Sequence, residues 1–279
     1  MKWSILIALV LALPLSLHAE LKTDIEYAKA GDMSLTLDAF VPEGSGPFPT
    51  CILVHGGGFT KGDKTSFIKP LFQPLSDAHF TWFTINYRLA PQHRWPACLD
   101  DVETAIRWVK AHAAEYKVDP ARIALIGESA GGHLVSMAGV RMKAGCDTRL
   151  AAVAPFYGPH DLEFQADNRR APGASLTALL GIADDLSEGN RKILREASPS
   201  SYVTPGLPPF LLIHGDKDPT VPYDQSVRFQ AKMKEAGNVC DLITVPGGVH
   251  GMGGWSKLTP PSPYAAEMIA WLRKTLKAE

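Results

Sequence analysis

RIALIGESAGGHLVSMAGV, residues 122–140, is the stretch whose reading decides the fold. Its opening, RIALIG (122–127), is a short apolar run of the kind that forms a strand covered on both faces. Directly after it, GESAGG (127–132) sets Ser129 among small residues, and from 129 to 144 the spacing becomes helical. Taken alone, Ser129 could be an ordinary helix N-cap, because serine is favoured there and glycine is common in turns. Between a strand and a helix, however, G-x-S-x-G occupies the position of a nucleophile elbow, a sharp turn that lifts the serine oxygen into a cleft. Gly127 and Gly131 lack the Cβ that such a reversal would crowd, and Ala130 is small for the same reason. The serine would also stand at a helix N-terminus, whose dipole favours developing negative charge.

Working outward, CILV (51–54), FTWFTIN (80–86), LAAVAPF (150–156), FLLIHG (210–215) and DLITVP (241–246) are further short apolar runs bounded by turns. Helical spacing fills 96–116, 223–237 and 263–278 between or after them. MSLTLDAFV (33–41) alternates apolar and polar residues, as a half-buried antiparallel edge strand does. Strands alternating with helices predict an α/β fold: a mostly parallel central sheet with helices on both faces, in one domain spanning 20–279. Residues 157–205 break the rhythm and are expected to form a small lid-like insertion at the carboxyl edge of the sheet, where such folds place their pockets. A plain surface excursion is the alternative.

Composition narrows the class. The 279 residues are 46% hydrophobic and 20% charged with a net charge of −1, which fits a packed core and excludes the basic surface of a nucleic-acid binder. MKWSILIALVLALPLSLHAE (1–20) reads as a signal peptide cut after Ala19, predicting a secreted or periplasmic protein. Its apolar stretch, Ile5 to Leu13, falls short of the ~20 residues of a membrane span. Cleavage removes Lys2, leaving 27 basic against 29 acidic residues. Of the four cysteines, Cys51 and Cys240 lie in apolar runs and read as small buried hydrophobes. Cys146, in a glycine-containing loop, is the best placed to be bridged in an oxidising compartment. No C-x-x-C spacing occurs, and neither a metal nor an organic cofactor is expected.

A serine nucleophile needs a base, and the base needs an orienting group. His250 sits in VPGGVHGMGG (245–254), where glycines free the backbone to aim the ring. His79, His93, His112 and His160 lie far from any glycine-rich turn, His133 is one turn into the helix after Ser129, and His214 reads as a structural residue at a strand end. HGDKDPTVP (214–222) offers Asp216 and Asp218 as the acid, giving the chain order Ser, Asp, His. HGGGF (55–59) follows another strand, and the N–H groups of Gly57, Gly58 and Ala130 could point at an oxyanion. The loop lacks the Lys-Ser/Thr ending of a nucleotide-phosphate cradle.

HGGGF, YRLAPQHRWP (87–96), GESAGGHL, HGDKDPTVP and VHG (249–251) together resemble the α/β-hydrolases, in particular the hormone-sensitive-lipase-like carboxylesterases and their bacterial feruloyl and acetyl-xylan esterase type, over about residues 35–275. The resemblance implies that Asp218 is the triad acid, that Gly57 and Gly58 form the oxyanion loop, and that YRLAP braces the turn after the 80–86 strand. Phe59 replaces the tryptophan and Gln92 the glutamate common in the family, which bears on the acyl pocket. The expected function is an exported serine esterase acting on short-chain or aromatic acyl esters, small or linked to plant-wall polysaccharide. A serine peptidase of the same fold and a non-catalytic hydrolase-like binding protein are the alternatives.

Overall fold

The computed structural model describes residues 18–142 and 146–278. The stretch read as an export signal lies outside them except for its last two residues. The centre is an eight-stranded sheet built from β1 (Glu20–Ala30), β2 (Met33–Val41), β3 (Phe48–Val54), β4 (Thr81–Ile85), β5 (Val118–Glu128), β6 (Ala152–Phe156), β7 (Phe210–Gly215) and β8 (Cys240–Val245). Their spatial order is β1-β2-β4-β3-β5-β6-β7-β8. β1 and β2 form an antiparallel hairpin, β2 pairs antiparallel with β4, and every pairing from β4 across to β8 is parallel. The helices are α1 (Phe72–Asp77), α2 (Ala97–Ala111), α3 (Ala130–Val140), α4 (Leu162–Arg169), α5 (Ala174–Leu180), α6 (Glu188–Glu196), α7 (Asp224–Glu235) and α8 (Tyr264–Leu276).

The unbroken apolar runs follow from cover on both sides. In β3, Ile52 and Val54 join a core with Val102 of α2, Leu134 of α3 and Phe229 of α7. Their neighbours Cys51 and Leu53 point into a second core with Leu75 of α1 and Met268 and Leu272 of α8. Successive residues of a strand face opposite ways, so a strand buried on both faces needs an apolar residue at every position. α3 is the most enclosed helix, with every residue from Ala130 to Val140 buried. Close approach of its first turn to the sheet requires glycine: a Cβ on Gly131 would lie 2.2 Å from the Val54 carbonyl oxygen and 2.4 Å from that of His55.

The structure differs from the sequence reading in several places. β1 was not expected, because only Tyr27 of its 11 residues is buried and no clean alternation marks it. Helix 96–116 stops at Ala111, where the chain turns through Lys117 in the left-handed region and enters β5 four residues before its apolar run. Residues 157–205 hold three short helices, α4 to α6, between β6 and β7. Cys146, expected as the best candidate for a bridge, is free, as are Cys51, Cys98 and Cys240. The other three are buried, Cys51 in one apolar core and Cys98 and Cys240 in the other. Among the described residues no helix is long and apolar enough to cross a membrane.

Gly131→Ala forces a Cβ into two backbone carbonyls that cannot move without dragging β3, so it should lower the unfolding free energy by about 3 kcal/mol or more. Gly189→Ala, on α6 with nothing within 4 Å of an added Cβ, should leave stability unchanged or raise it. Urea unfolding of both variants checks the contrast.

Candidate active site

β5 ends at Glu128 and α3 begins at Ala130, so the chain reverses within one residue. Ser129 takes φ 54° and ψ −116°, a strained conformation for a residue with a Cβ. Its N–H donates to the Phe156 carbonyl at 2.9 Å, and its own carbonyl accepts from His133 N–H at 3.0 Å. These bonds hold the residue from both sides and leave the hydroxyl facing a cavity of about 710 Å³.

Within that cavity Ser129 Oγ lies 2.9 Å from His250 Nε2. On the other side of the ring, His250 Nδ1 lies 2.6 Å from Asp218 Oδ2. The structure thus brings together side chains from the turns after β5, β7 and β8. The histidine loop is pressed onto β7 by a close approach, since a Cβ on Gly215 would sit 2.2 Å from the Gly248 carbonyl oxygen. Asp216, the alternative acid, is exposed and accepts the Gly247 N–H at 2.7 Å, pinning the start of the same loop.

Asp218 is buried, and its Oδ1 accepts N–H bonds from Thr220 at 2.7 Å and Val221 at 2.9 Å. His214, read from sequence as a strand-end residue, sits fully buried with Nε2 3.3 Å from Asp218 Oδ2. The Ser226 hydroxyl lies 2.8 Å from its Nδ1 and the Val221 carbonyl 3.0 Å from its Nε2. Nε2–H donates to the Val221 carbonyl, and the Ser226 hydroxyl holds the other side of the ring. Burial opposes ionisation of Asp218, but hydrogen bonds from His214 and His250 outweigh it and hold the carboxyl below its ordinary range. An ionised acid beneath Nδ1 fixes the ring so that Nε2 faces Ser129.

Gly57 and Gly58 have φ of 101° and 62° and line the cavity, while Ala130 is buried at the start of α3. The glycine loop is held from below by Tyr87, whose hydroxyl donates towards the carbonyls of His55 at 3.0 Å and Gly56 at 3.2 Å. YRLAP therefore braces this loop as well as its own turn; Ala90 N–H also donates to the Phe59 carbonyl at 2.9 Å. Arg88 is clamped in turn by Asp101, with Nη2 to Oδ1 at 2.7 Å. Phe59 is buried edge-on against His133, their centroids 5.3 Å apart, and does not line the cavity. His133 is also buried, and its Nε2 donates to the Ala197 carbonyl at 2.7 Å.

The sequence reading assigned no role to Glu128. Its side chain is buried between the glycine loop and Tyr157, and burial pushes its carboxyl up from 4.5 to about 7 against the opposing pull of the Gly56 N–H, the His250 charge and the Tyr157 hydroxyl. Tyr157 accepts the Met252 N–H at 3.0 Å, so one polar chain ties the histidine loop, the residue before Ser129 and the glycine loop. A carboxylate inside an otherwise small and apolar turn was the signal available in the sequence.

A mostly parallel sheet carrying this serine turn defines the class: the protein is an α/β-hydrolase. Its structure superposes on a truncated carbohydrate esterase from gut microbiota with a TM-score of 0.79, covering 94% of this chain and 98% of the other at 27% identity. It superposes equally on an acetyl ester-xyloside bifunctional hydrolase from Caldicellulosiruptor lactoaceticus, with a TM-score of 0.79 over 91% and 96% of the two chains at 25% identity. The chain belongs to the BD-FAE family, whose model matches residues 37–233. It is 34% identical over 199 residues to the probable carboxylic ester hydrolase LipM of Mycobacterium tuberculosis, a match covering 68% of this chain and 46% of that protein. The chain spans about half the length of this relative and of two further curated relatives that it matches.

Glu128 makes stability depend on pH in a predictable direction. Its folded pKa of about 7 lies above the ordinary 4.5, so the native state keeps a proton the unfolded chain has lost between those values. Stability should therefore fall as pH rises through that window, by about 3 kcal/mol in all. Glu128→Gln should abolish this decline, so that its stability relative to the parent grows from pH 4.5 to 7 and levels off above. Urea unfolding across pH 4.5–8 checks this; parallel profiles would contradict the assignment.

Proposed function

We propose that the protein is a serine esterase that hydrolyses carboxylic esters through an acyl-enzyme. The observation that carries this reading is the continuous relay from Ser129 Oγ through the His250 ring to the buried Asp218 carboxylate, at 2.9 and 2.6 Å. Ser129 attacks the ester carbonyl as His250 Nε2 takes its proton, and the same nitrogen returns the proton to the leaving alcohol. Asp218 accepts from Nδ1–H throughout and stabilises the imidazolium without itself becoming protonated. N–H groups of Gly57, Gly58 and Ala130 receive the tetrahedral oxyanion, aided by the N-terminus of α3. A water, activated by His250, then releases the acid and restores Ser129.

The substrate range we assign is short-chain or aromatic acyl esters, including esters on plant-wall polysaccharide, met after export. The names of the structural relatives, a carbohydrate esterase and an acetyl ester-xyloside hydrolase, support the saccharide part. The leader-like N-terminal sequence supports export.

Turnover of p-nitrophenyl acetate tests the chemistry. Ser129→Ala should lower kcat by about four to six orders of magnitude, and Asp218→Asn by about four. Because the residues act as a unit, the Ser129→Ala/His250→Ala double variant should be no slower than Ser129→Ala. Assays of acetate and ferulate released from xylan then separate the acyl classes.

A further inference from the structure

Phe67 stands out because neither its backbone nor its packing accounts for it. Its φ is 61°, in the left-handed region where bulky residues are outliers and asparagine or glycine is at home. Its side chain is 53% exposed, so burial does not repay the strain. The chain on either side is fixed. Asp63 Oδ1 accepts from Thr65 N–H at 2.8 Å and from the Ser66 hydroxyl at 3.0 Å. Lys64 N–H donates to Asn86 Oδ1 at 2.8 Å, and its Nζ pairs with Asp24 at 2.7 Å and Asp38 at 3.2 Å. Immediately after Phe67, Ile68 is fully buried. A pinned turn thus holds a phenyl ring outward, and the ring lines the same cavity as Ser129 and His250. Strain kept in place by over-determined surroundings is the usual mark of a functional position.

The rest of the cavity suits a ring-bearing ligand. At about 710 Å³ it is far larger than an acetyl group requires. Gly251, Gly253 and Gly254 line it without side chains, and nothing stands within 4 Å of a Cβ added to any of them. Thr60, Ser175 and Thr220 also line it and can exchange hydrogen bonds with ring hydroxyls.

We propose that Phe67 is a specificity-determining residue whose exposed face stacks on a six-membered ring, pyranose or aryl, carried by the substrate outside the reacting carbonyl. This rests on the esterase reading above. The test compares the full chain with Phe67→Asn and Phe67→Tyr on three esters: vinyl acetate, which has no ring; methyl ferulate, with an aryl acyl group; and acetylated xylobiose, with a pyranose alcohol. For Phe67→Asn the expected result is a fall in kcat/KM of about tenfold, carried by KM, on at least one ring-bearing ester, the scale of one aromatic contact. Vinyl acetate turnover should stay within about twofold, and the melting temperature should hold or rise because asparagine tolerates the positive φ. Phe67→Tyr should keep the parent's preference. Loss confined to methyl ferulate identifies an aryl ring, and loss confined to acetylated xylobiose a pyranose. An unchanged ratio of ring-bearing to ring-free turnover in Phe67→Asn overturns the proposal and leaves the esterase reading intact, as does failure of the parent to cleave either ring-bearing ester while it cleaves vinyl acetate. A parent that cleaves none of the three overturns the esterase reading itself.

Discussion

Between Glu128 and Ala130 the backbone must leave a strand at the centre of the sheet and enter a helix lying across its face, with only Ser129 to make the turn. The helix can pack that closely because Gly131 lets the carbonyls of Val54 and His55 approach where a Cβ would stand, and Gly127 does the same for the carbonyl of Gly131. The strained φ of Ser129 is sustained by complete burial of α3 and by backbone bonds to Phe156 and His133. A strain of order 1–3 kcal/mol is small beside the burial of Leu134, Val135 and Met137 in the same helix. The serine's position is therefore a consequence of core packing, and the remaining parts of the site are arranged around it.

Those parts arrive on loops, which would be mobile if left to themselves. Polar cross-ties prevent this. Tyr87 supports the glycine loop, Asp216 and the Gly215–Gly248 contact hold the histidine loop, and Glu128 with Tyr157 links one to the other. His214, Thr220 and Val221 do the same for Asp218. Donors and rings fixed in advance need not reorganise as charge develops, which is where preorganised sites gain most of their advantage. Buried polar residues accordingly stand at the carboxyl ends of β3, β5 and β7, at His55, Glu128 and His214.

How much of this could be read from the sequence follows from the range of each signal. The central strands were legible because burial on both faces writes a continuous apolar run, and the turn at Ser129 because its small residues are contiguous. His250 and its glycines were legible for the same local reason, whereas choosing Asp218 over Asp216 needed the family resemblance. β1 escaped because an edge strand with one buried residue has little pattern to show. The contacts of His214, Glu128 and Tyr157 escaped because they join segments distant in the chain: Tyr157 meets Met252 across 95 positions. Phe67 escaped because its sequence neighbourhood, KTSFIK, gives no hint of a left-handed phenylalanine. Cys146 misled because a permissive loop says nothing about whether a second sulfur comes near.

The central claim is that Ser129 alone is made nucleophilic by its place in the fold. Treatment with paraoxon followed by peptide mass spectrometry tests it most directly, since an activated serine attacks its phosphorus, expels p-nitrophenolate and keeps the diethylphosphoryl group, whereas ordinary serines do not react. The account predicts one phosphoryl group per chain, located on Ser129, appearing in step with loss of ester turnover and absent in His250→Ala. Modification of a different residue, or complete loss of turnover with Ser129 unmodified, would contradict it.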